Sequence, residues 1–244
     1  MGNLMKAPMV CGGIIAAGHG TRLLGAGISV PKQMVEIGGM PLIGRQVAEF
    51  ERAALCPVFV ILNSTVCHEC RDYLEGAFPS ADIRPFCRDT ESSAESFIRL
   101  LERVLRQMGR DTLVLVSTVD SIYRPGLLNA FREQIFKSGE REALFLGITR
   151  FVDDEKPLFC RLDGSGRIVD LGGDLSEGPV TCGLYCLPAS WAEGVDPGDF
   201  PALRQFLGWL LRQGRRAYGI DVGKVIDVDR PQDLKEAEEF LARG

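Results

Sequence analysis

No apolar run in this chain approaches the roughly 18 to 20 residues that a membrane-crossing helix needs, so a membrane span is not expected. Histidine is almost missing, with only His19 and His68, and no Ser-His-Asp set can be assembled around them. Positive charge is not in excess either. Twenty-eight Lys and Arg face 33 Asp and Glu, a net charge of −5, and no basic stripe interleaves with aromatics, which excludes nucleic acid as a partner. Long charge runs, low-complexity tracts and internal repeats are also lacking. The opening segment MGNLMKAPMV has no signal-peptide core, and Lys6 stands where a myristoylation signal wants Ser or Thr. These absences point to a cytoplasmic protein.

Cysteine, by contrast, is plentiful at eight residues. Cys11, Cys160, Cys182 and Cys186 lie in apolar runs and read as small core residues. Cys67-His68-Glu69-Cys70 is a lone C-x-x-C on an expected helix, without the second pair a zinc site would want. Cys56 and Cys87 stand isolated, so the expectation is reduced thiols throughout.

The 244 residues, 45% hydrophobic and 25% charged, suffice for one sizeable core and predict a single α/β domain. Strands are expected at Val10–Ala16, Val58–Leu62, Leu113–Ser117 and Ala143–Ile148, with helical periodicity between them at Leu42–Ala54, Ala94–Gln107 and Pro125–Ser138. This alternation is that of a mostly parallel sheet with helices on both faces. After Thr149 the pattern changes. Shorter strands at Leu158–Leu162, Ile168–Leu171 and Thr181–Leu187 predict a small antiparallel or mixed region extending the sheet. A helix at Pro201–Gln213, a strand pair around Ala217–Val228 and a last helix to Ala242 complete the reading. The division is about 10–148, about 149–228 and 229–244, the last being the final helix.

The most informative stretch is Gly12 to Lys32, GGIIAAGHGTRLLGAGISVPK. A short apolar run reads as a buried strand. It enters a loop with Gly18, Gly20, Thr21 and Arg22, and Pro31-Lys32 follows. Glycines let backbone N–H groups approach phosphate oxygens closely, and Arg22 and Lys32 add fixed charge where a triphosphate would lie. A P-loop would need Gly-Lys-Ser/Thr after its second glycine, and a dinucleotide fingerprint a third glycine; neither is present. The segment resembles the nucleotidyltransferase signature AAG-x-G-T/S-R-L…P-K, found in sugar-phosphate nucleotidyltransferases and in the cytidylyltransferases of choline phosphate and inositol phosphate. The resemblance implies a Rossmann-like nucleotide-diphospho-sugar transferase fold. It also implies Mg²⁺-dependent transfer of a nucleotidyl group from an NTP, CTP slightly favoured, to a small phosphomonoester, with release of pyrophosphate.

On that basis Ala16, Ala17, Gly18, Gly20, Thr21, Arg22 and Lys32 are nucleotide-binding candidates, with Arg22 and Lys32 acting on the leaving pyrophosphate. The apolar run Leu113-Val-Leu-Val-Ser-Thr-Val delivers Asp120 at the C-terminal end of a strand, the edge where open α/β sheets bind ligands. A carboxylate there suits a hard cation bridged to phosphate. Asp227 and Asp229 alternate in Val225-Ile-Asp-Val-Asp-Arg-Pro, so both share one face, and either could complete the metal site. This stretch resembles the family's D-V-D-T-P-E-D-L segment, but Arg230 replaces the threonine and removes a hydroxyl cap. Thr90, Ser92 and Ser93 open a helix in a segment resembling one that contacts base and ribose; they are also ordinary helix caps. Lys156, in Glu155-Lys156-Pro157, and Lys224 are rival candidates for the acceptor phosphate.

Other readings are a nucleotide-sensing module without catalysis, a glycosyltransferase, a methylerythritol-phosphate cytidylyltransferase and a molybdopterin guanylyltransferase. The glycosyltransferase usually carries Asp-x-Asp midway, which Ser117-Thr-Val-Asp120 is not. The Asp-Ala-Ala-Arg-Pro segment of the methylerythritol-phosphate enzymes is missing at Val116–Pro125, and the molybdopterin enzymes usually carry Met where Leu23 stands. The base, the acceptor and the oligomeric state, a homodimer included, stay open at this level.

Overall fold

The computed structural model describes residues 9–152, 156–172 and 175–243. The opening segment read for targeting signals, and the acidic residues directly before Lys156, lie outside the described residues. In chain order β1 (Met9–Ala16), α1 (Thr21–Gly25), β2 (Glu36–Ile37), β3 (Met40–Pro41) and α2 (Leu42–Arg52) form the first third. Next come β4 (Val58–Leu62), α3 (Cys67–Ala77), β5 (Ile83–Cys87), α4 (Ser93–Met108), β6 (Thr112–Thr118) and β7 (Ser121–Ile122). Then follow α5 (Leu127–Ser138), β8 (Ala143–Thr149), β9 (Cys160–Leu162), β10 (Ile168–Leu171) and β11 (Val180–Pro188). Last are α6 (Leu203–Arg212), β12 (Arg216–Asp221), β13 (Ile226–Asp227) and α7 (Pro231–Ala242). Lys32–Met34, between α1 and β2, is a single 3₁₀ turn.

The main sheet has seven strands in the order β12-β8-β11-β6-β1-β4-β5. All neighbours pair in parallel except β11, which runs antiparallel to both β6 and β8. The central strands are apolar on both faces because helices cover both. Alternate residues feed two separate layers. Val58, Val60 and Leu62 join Leu113, Leu115 and Phe50 on one side, under α2, α3 and α5. Phe59 and Ile61 join Val114, Val116, Phe97 and Phe206 on the other, under α4 and α6. Each fully buried Phe or Leu contributes about 1.5–3 kcal/mol, so this two-sided burial dominates the fold's stability.

Three expectations are corrected. The reversed strand after Thr149 does not extend the sheet; β11 inserts at its middle, while β9 and β10 form a separate hairpin tied to β12 through Gly219 N–H to the Gly166 carbonyl, 3.0 Å. The strands around Ala217–Val228 do not pair with each other. β12 joins β8 and β13 joins β7. Cys67 and Cys87 are not reduced thiols but form a disulfide, with Cα atoms 5.8 Å apart. The bond ties the start of α3 to the end of β5, an edge strand whose Arg84-Pro85 concealed it from hydropathy patterning. A closed loop of this size contributes about 3 kcal/mol in the chain-entropy account.

Candidate functional site

Parallel pairing of β1 with β6 places their C-terminal ends side by side: Ile15 lies opposite Thr118, and Val119 N–H donates to the Ile15 carbonyl at 3.0 Å. The glycine loop and Asp120 therefore leave the same sheet edge. The C-terminal acids arrive by a second register. Asp227 pairs with Ser121 in the β13–β7 ribbon, and Val228 N–H donates to the Asp120 carbonyl at 3.0 Å.

The loop after β1 is shaped from behind. Gln33, buried, donates from Nε2 to the carbonyls of Ala16 (2.6 Å) and Gly18 (2.8 Å). Asn63, also buried, donates to the Ala17 carbonyl at 3.1 Å. With these carbonyls held inward by two amides, the loop is fixed where phosphate-facing N–H groups are needed. Gly20 is left-handed (φ 61°), and a Cβ there would lie 2.6 Å from Lys32 Cβ. That close approach brings Lys32 under the loop.

Lys32 is the hub of the site. Its buried Nζ donates to Asp120 Oδ2 at 2.5 Å and to Asp229 Oδ1 at 2.6 Å. Arg22 Nη1 donates to Asp229 Oδ2 at 2.5 Å. Burial alone would lower the Lys32 pKa, but the two carboxylates outweigh it and hold the ammonium above its ordinary range. Burial likewise pushes Asp120 up, yet Lys32's charge and hydrogen bonds from Lys32 and Thr118 hold it below the usual carboxylate range.

Asp227 takes a different environment. Its Oδ1 accepts from the Ser121 hydroxyl at 2.8 Å rather than from Lys32. Crowding by protein and then the charge of Asp120 push its carboxyl up to about 7, although its outer edge stays exposed to water, which screens part of the effect.

Asp120 and Asp229 thus converge on one cation position, while Asp227 turns aside. Among the described residues no group of three or more His, Cys, Asp or Glu is gathered for a metal. Mg²⁺ commonly takes one or two carboxylates and completes its octahedron with water and substrate phosphate oxygens. The Asp120–Asp229 pair fits that pattern, as a site shared with substrate rather than a protein cage.

Two cavities meet at these groups. One of about 450 Å³ is lined by Ala17, Gly18, Gly20, Thr21, Arg22, Lys32, Thr90, Ser92, Ser93, Asp120 and Asp229 among others. His19, Glu91 and Ser96 line it too and were not singled out from sequence, since nothing in their spacing distinguishes them. Ala16 is fully buried behind the loop. The second cavity, of about 220 Å³, shares Arg22 and Asp229 and adds Asp227, Arg230, Gln232, Asp233 and Glu236. Ser92 and Ser93 are already engaged. Ser92 caps α4 through Glu95 N–H (3.0 Å) and donates to the Phe200 carbonyl, and Ser93 Oγ accepts from Leu203 N–H. Thr90 and Ser96 hydroxyls bond each other at 2.6 Å.

The lysine candidates lie elsewhere. Lys156 is exposed, its carbonyl accepting from Arg204, and it lines neither cavity. Lys224 donates to Glu236 Oε1 at 2.7 Å and faces a neighbouring hollow with Arg124, Phe151 and Phe240. The cap lost with threonine at position 230 is replaced from the other side: Asp233 Oδ2 accepts from the N–H groups of Asp229 (2.9 Å) and Arg230 (2.7 Å). No helix among the described residues is long and apolar enough to cross a membrane.

Solved structures with the same fold span nearly the whole chain. A Bacillus anthracis protein provisionally named a glucose-1-phosphate thymidylyltransferase, solved with sucrose, is similar at TM-score 0.78 and 16% identity, over 95% of this chain and 94% of its own. The inositol-1-phosphate CTP transferase of T. maritima is similar at TM-score 0.72 and 17% identity, over 96% and 98%. A UDP-glucose pyrophosphorylase complexed with UDP-glucose is similar at TM-score 0.75 and 19% identity, over 95% and 98%. No curated protein matches the sequence. Residues 12–157, more than half of the chain and including the glycine loop, Lys32 and Asp120, match the MobA-like NTP transferase domain. This protein is a nucleotidyltransferase and belongs to the MobA-like NTP transferase family.

Proposed function

We propose that the protein transfers a nucleotidyl group, with Mg²⁺, from an NTP to a small phosphomonoester such as a sugar, polyol or choline phosphate, releasing pyrophosphate. The observation that carries this reading is the junction of the two cavities at Arg22 and Asp229, beside Lys32 and Asp120. One cavity takes the NTP and the other the acceptor, so the α-phosphorus lies between them.

The acceptor phosphate is largely dianionic at neutral pH, its second pKa being about 6, so its oxygen attacks without a general base. That suits a site with no catalytic histidine set. As the new P–O bond forms, the bond from the α-phosphorus to the pyrophosphate oxygen breaks. Lys32 and Arg22 neutralise charge on the departing pyrophosphate, and the loop from Ala17 to Thr21 orients the triphosphate through its backbone N–H groups. Asp120 and Asp229 are the residues to hold Mg²⁺, which when bound offsets phosphate charge. Three neighbours are named for thymidylyl, CTP or UDP chemistry, which supports a pyrimidine nucleotide, with CTP the first to try. On this reading residues 10–148 form the nucleotide part, 149–228 with the start of α7 the acceptor part, and the reaction belongs to the cytoplasm, where NTPs are made.

The test is pyrophosphate release with Mg²⁺, crossing CTP, UTP, ATP, GTP and dTTP against a panel of phosphomonoesters. One productive pair is expected, abolished by EDTA and restored by Mg²⁺. Lys32→Ala and Asp120→Ala should each lower kcat at least ~100-fold; near-normal turnover removes the assigned role. NTP binding without pyrophosphate release on any acceptor would favour a nucleotide-sensing module instead.

A further inference from the structure

The buried stripe of α2 is apolar at Leu42, Ile43, Val47 and Phe50, yet Gln46 stands in it with 2% of its surface exposed. An amide at a core position is costly unless both of its ends are bonded. Both are bonded here. Gln46 Nε2 donates to the Ser121 carbonyl at 2.6 Å. Its Oε1 accepts from the Ser117 hydroxyl at 2.8 Å and from the Tyr123 hydroxyl at 2.6 Å. The Ser121 carbonyl can only accept, which fixes the orientation of the amide.

All three partners lie on the stretch from Ser117 to Tyr123, with Asp120 at its centre. Ser117 belongs to β6, Ser121 to β7, and Tyr123 directly follows β7. One side chain from α2 therefore ties both arms of the turn that carries Asp120. The same turn bonds Asp227 through Ser121 Oγ, 2.8 Å, and pairs with β13, the strand that leads to Asp229. Ser117, Ser121 and Tyr123 are buried, so water does not take the place of the amide. The glycine loop is held separately, by Gln33 and Asn63. Removing Gln46 should thus loosen the carboxylate half of the site and spare the nucleotide loop.

We propose that Gln46 is a positioning residue for the reaction, setting from α2 the turn that places Asp120 against Lys32 and the cation. This deepens the nucleotidyl-transfer reading and rests on it for the chemistry. Gln46 lines neither cavity and acts through Ser117, Ser121 and Tyr123. Partners behind a metal ligand typically matter about 10- to 100-fold in metal affinity or activity. A misplacement of about 1 Å at a reacting group has an effect of similar size.

The deciding variants in the full chain are Gln46→Met, Tyr123→Phe, their combination, and Glu49→Ala. Methionine matches glutamine in length and bonds none of the three partners. With the productive pair from the panel, kcat should fall about 10- to 100-fold in Gln46→Met. KM for the NTP should stay within about threefold, because the loop amides are untouched. Gln46→Met also leaves the Tyr123 hydroxyl buried without its partner. Adding Tyr123→Phe removes that orphan, so the double variant should regain part of the lost urea midpoint while kcat stays low. Glu49, the other buried polar side chain of α2, bonds Gly126 N–H at 2.8 Å and Arg52 instead. Glu49→Ala should lower the urea midpoint and leave kcat within about twofold. A normal kcat in Gln46→Met, a kcat that recovers with stability in the double variant, or an equal loss of kcat in Glu49→Ala each overturns the assignment. Should Gln46→Met not fold, Tyr123→Phe alone decides: kcat lowered at least about threefold supports the role, and unchanged kcat removes it.

A second measurement needs no acceptor. The unreactive α,β-methylene analogue of CTP is titrated by calorimetry into wild type and Gln46→Met, with Mg²⁺ and with EDTA; if CTP does not bind, the analogue of the NTP that wild type binds tightest is used. Wild type should bind more tightly with Mg²⁺. Gln46→Met should lose most of that gain, while its affinity in EDTA stays within about twofold of wild type. Equal gains in the two proteins, or none in wild type, overturn the assignment. A gain that depends on Gln46, without pyrophosphate release on any acceptor, supports the positioning role while removing the transferase reading.

Discussion

Asp227 and Asp120 are neighbouring carboxyls driven in opposite directions, and the difference lies in which cation each faces. Lys32 bonds Asp120 and holds its proton affinity down, while enclosure by protein and then Asp120's negative charge push Asp227 up to about 7 in spite of its Ser121 hydrogen bond. A free aspartate titrates near 3.9. Because the folded value of Asp227 is raised, the stability its neutral form contributes is complete below about pH 4 and is lost as pH rises through about 7. Asp120, being lowered, acts with the reverse sign and only below about pH 4. Asp227→Asn stays neutral throughout, so its urea midpoint should fall less than that of wild type between pH 5 and pH 8. Parallel profiles for the two proteins would remove this account of Asp227.

At the scale of elements, α2 ends in a complete Schellman arrangement. Ala54 N–H donates to the Glu51 carbonyl at 2.9 Å and Leu55 N–H to the Phe50 carbonyl at 3.0 Å. The residue at the left-handed position is Ala54, φ 50°, where glycine is usual. Its methyl is exposed and gains no packing to offset the strain. Ala54→Gly should stabilise the protein by about 1 kcal/mol in urea melts; an unchanged or lowered midpoint would contradict this. The junction of α3 and β5 makes a second prediction. Ellman's reagent should find one fast thiol in the native protein, Cys56, because Cys11, Cys70, Cys160, Cys182 and Cys186 are buried. Burial pushes Cys11 and Cys70 up to about 12, which further silences them. Unfolding without reductant should release those five, and reduction should add Cys67 and Cys87. Finding Cys67 and Cys87 reactive before reduction would exclude the disulfide.

For the whole molecule, the site depends on a contact between strands far apart in sequence. β11 shifts register against β8 between Thr181 and Tyr185, and there Gly183, φ 75°, presses onto the Asp120 turn. A Cβ at this position would overlap Ser121 Oγ and lie 2.5 Å from Thr118 Oγ1. Those hydroxyls bond each other at 2.8 Å and hold Asp227 and Asp120 respectively. Gly183→Ala should cost about 1–3 kcal/mol and lower kcat together with stability. A variant as stable and active as wild type would show that the turn does not depend on this approach.

The repeating chemistry of the chain settled a good deal on its own. Alternating apolar runs fixed β1, β4, β6 and β8 to within a residue or two, because strands buried on both faces admit few polar residues. That the glycine loop and Asp120 lie together was legible for a related reason: each follows an apolar strand of one parallel sheet, so both leave the same C-terminal edge. What sequence could not supply was everything made by register and distance. Asp227 and Asp229 share a face in an extended chain, yet β13 ends at Asp227, so only Asp229 turns to Lys32. Gln33 and Asn63 look like any surface amide until folding buries them against loop carbonyls. The insertion of β11, the joining of Cys67 to Cys87 and the entry of Arg230 into the second cavity all depend on long-range pairing. Local propensity carries no record of such contacts, because their free energy is gained only when distant segments exclude water together.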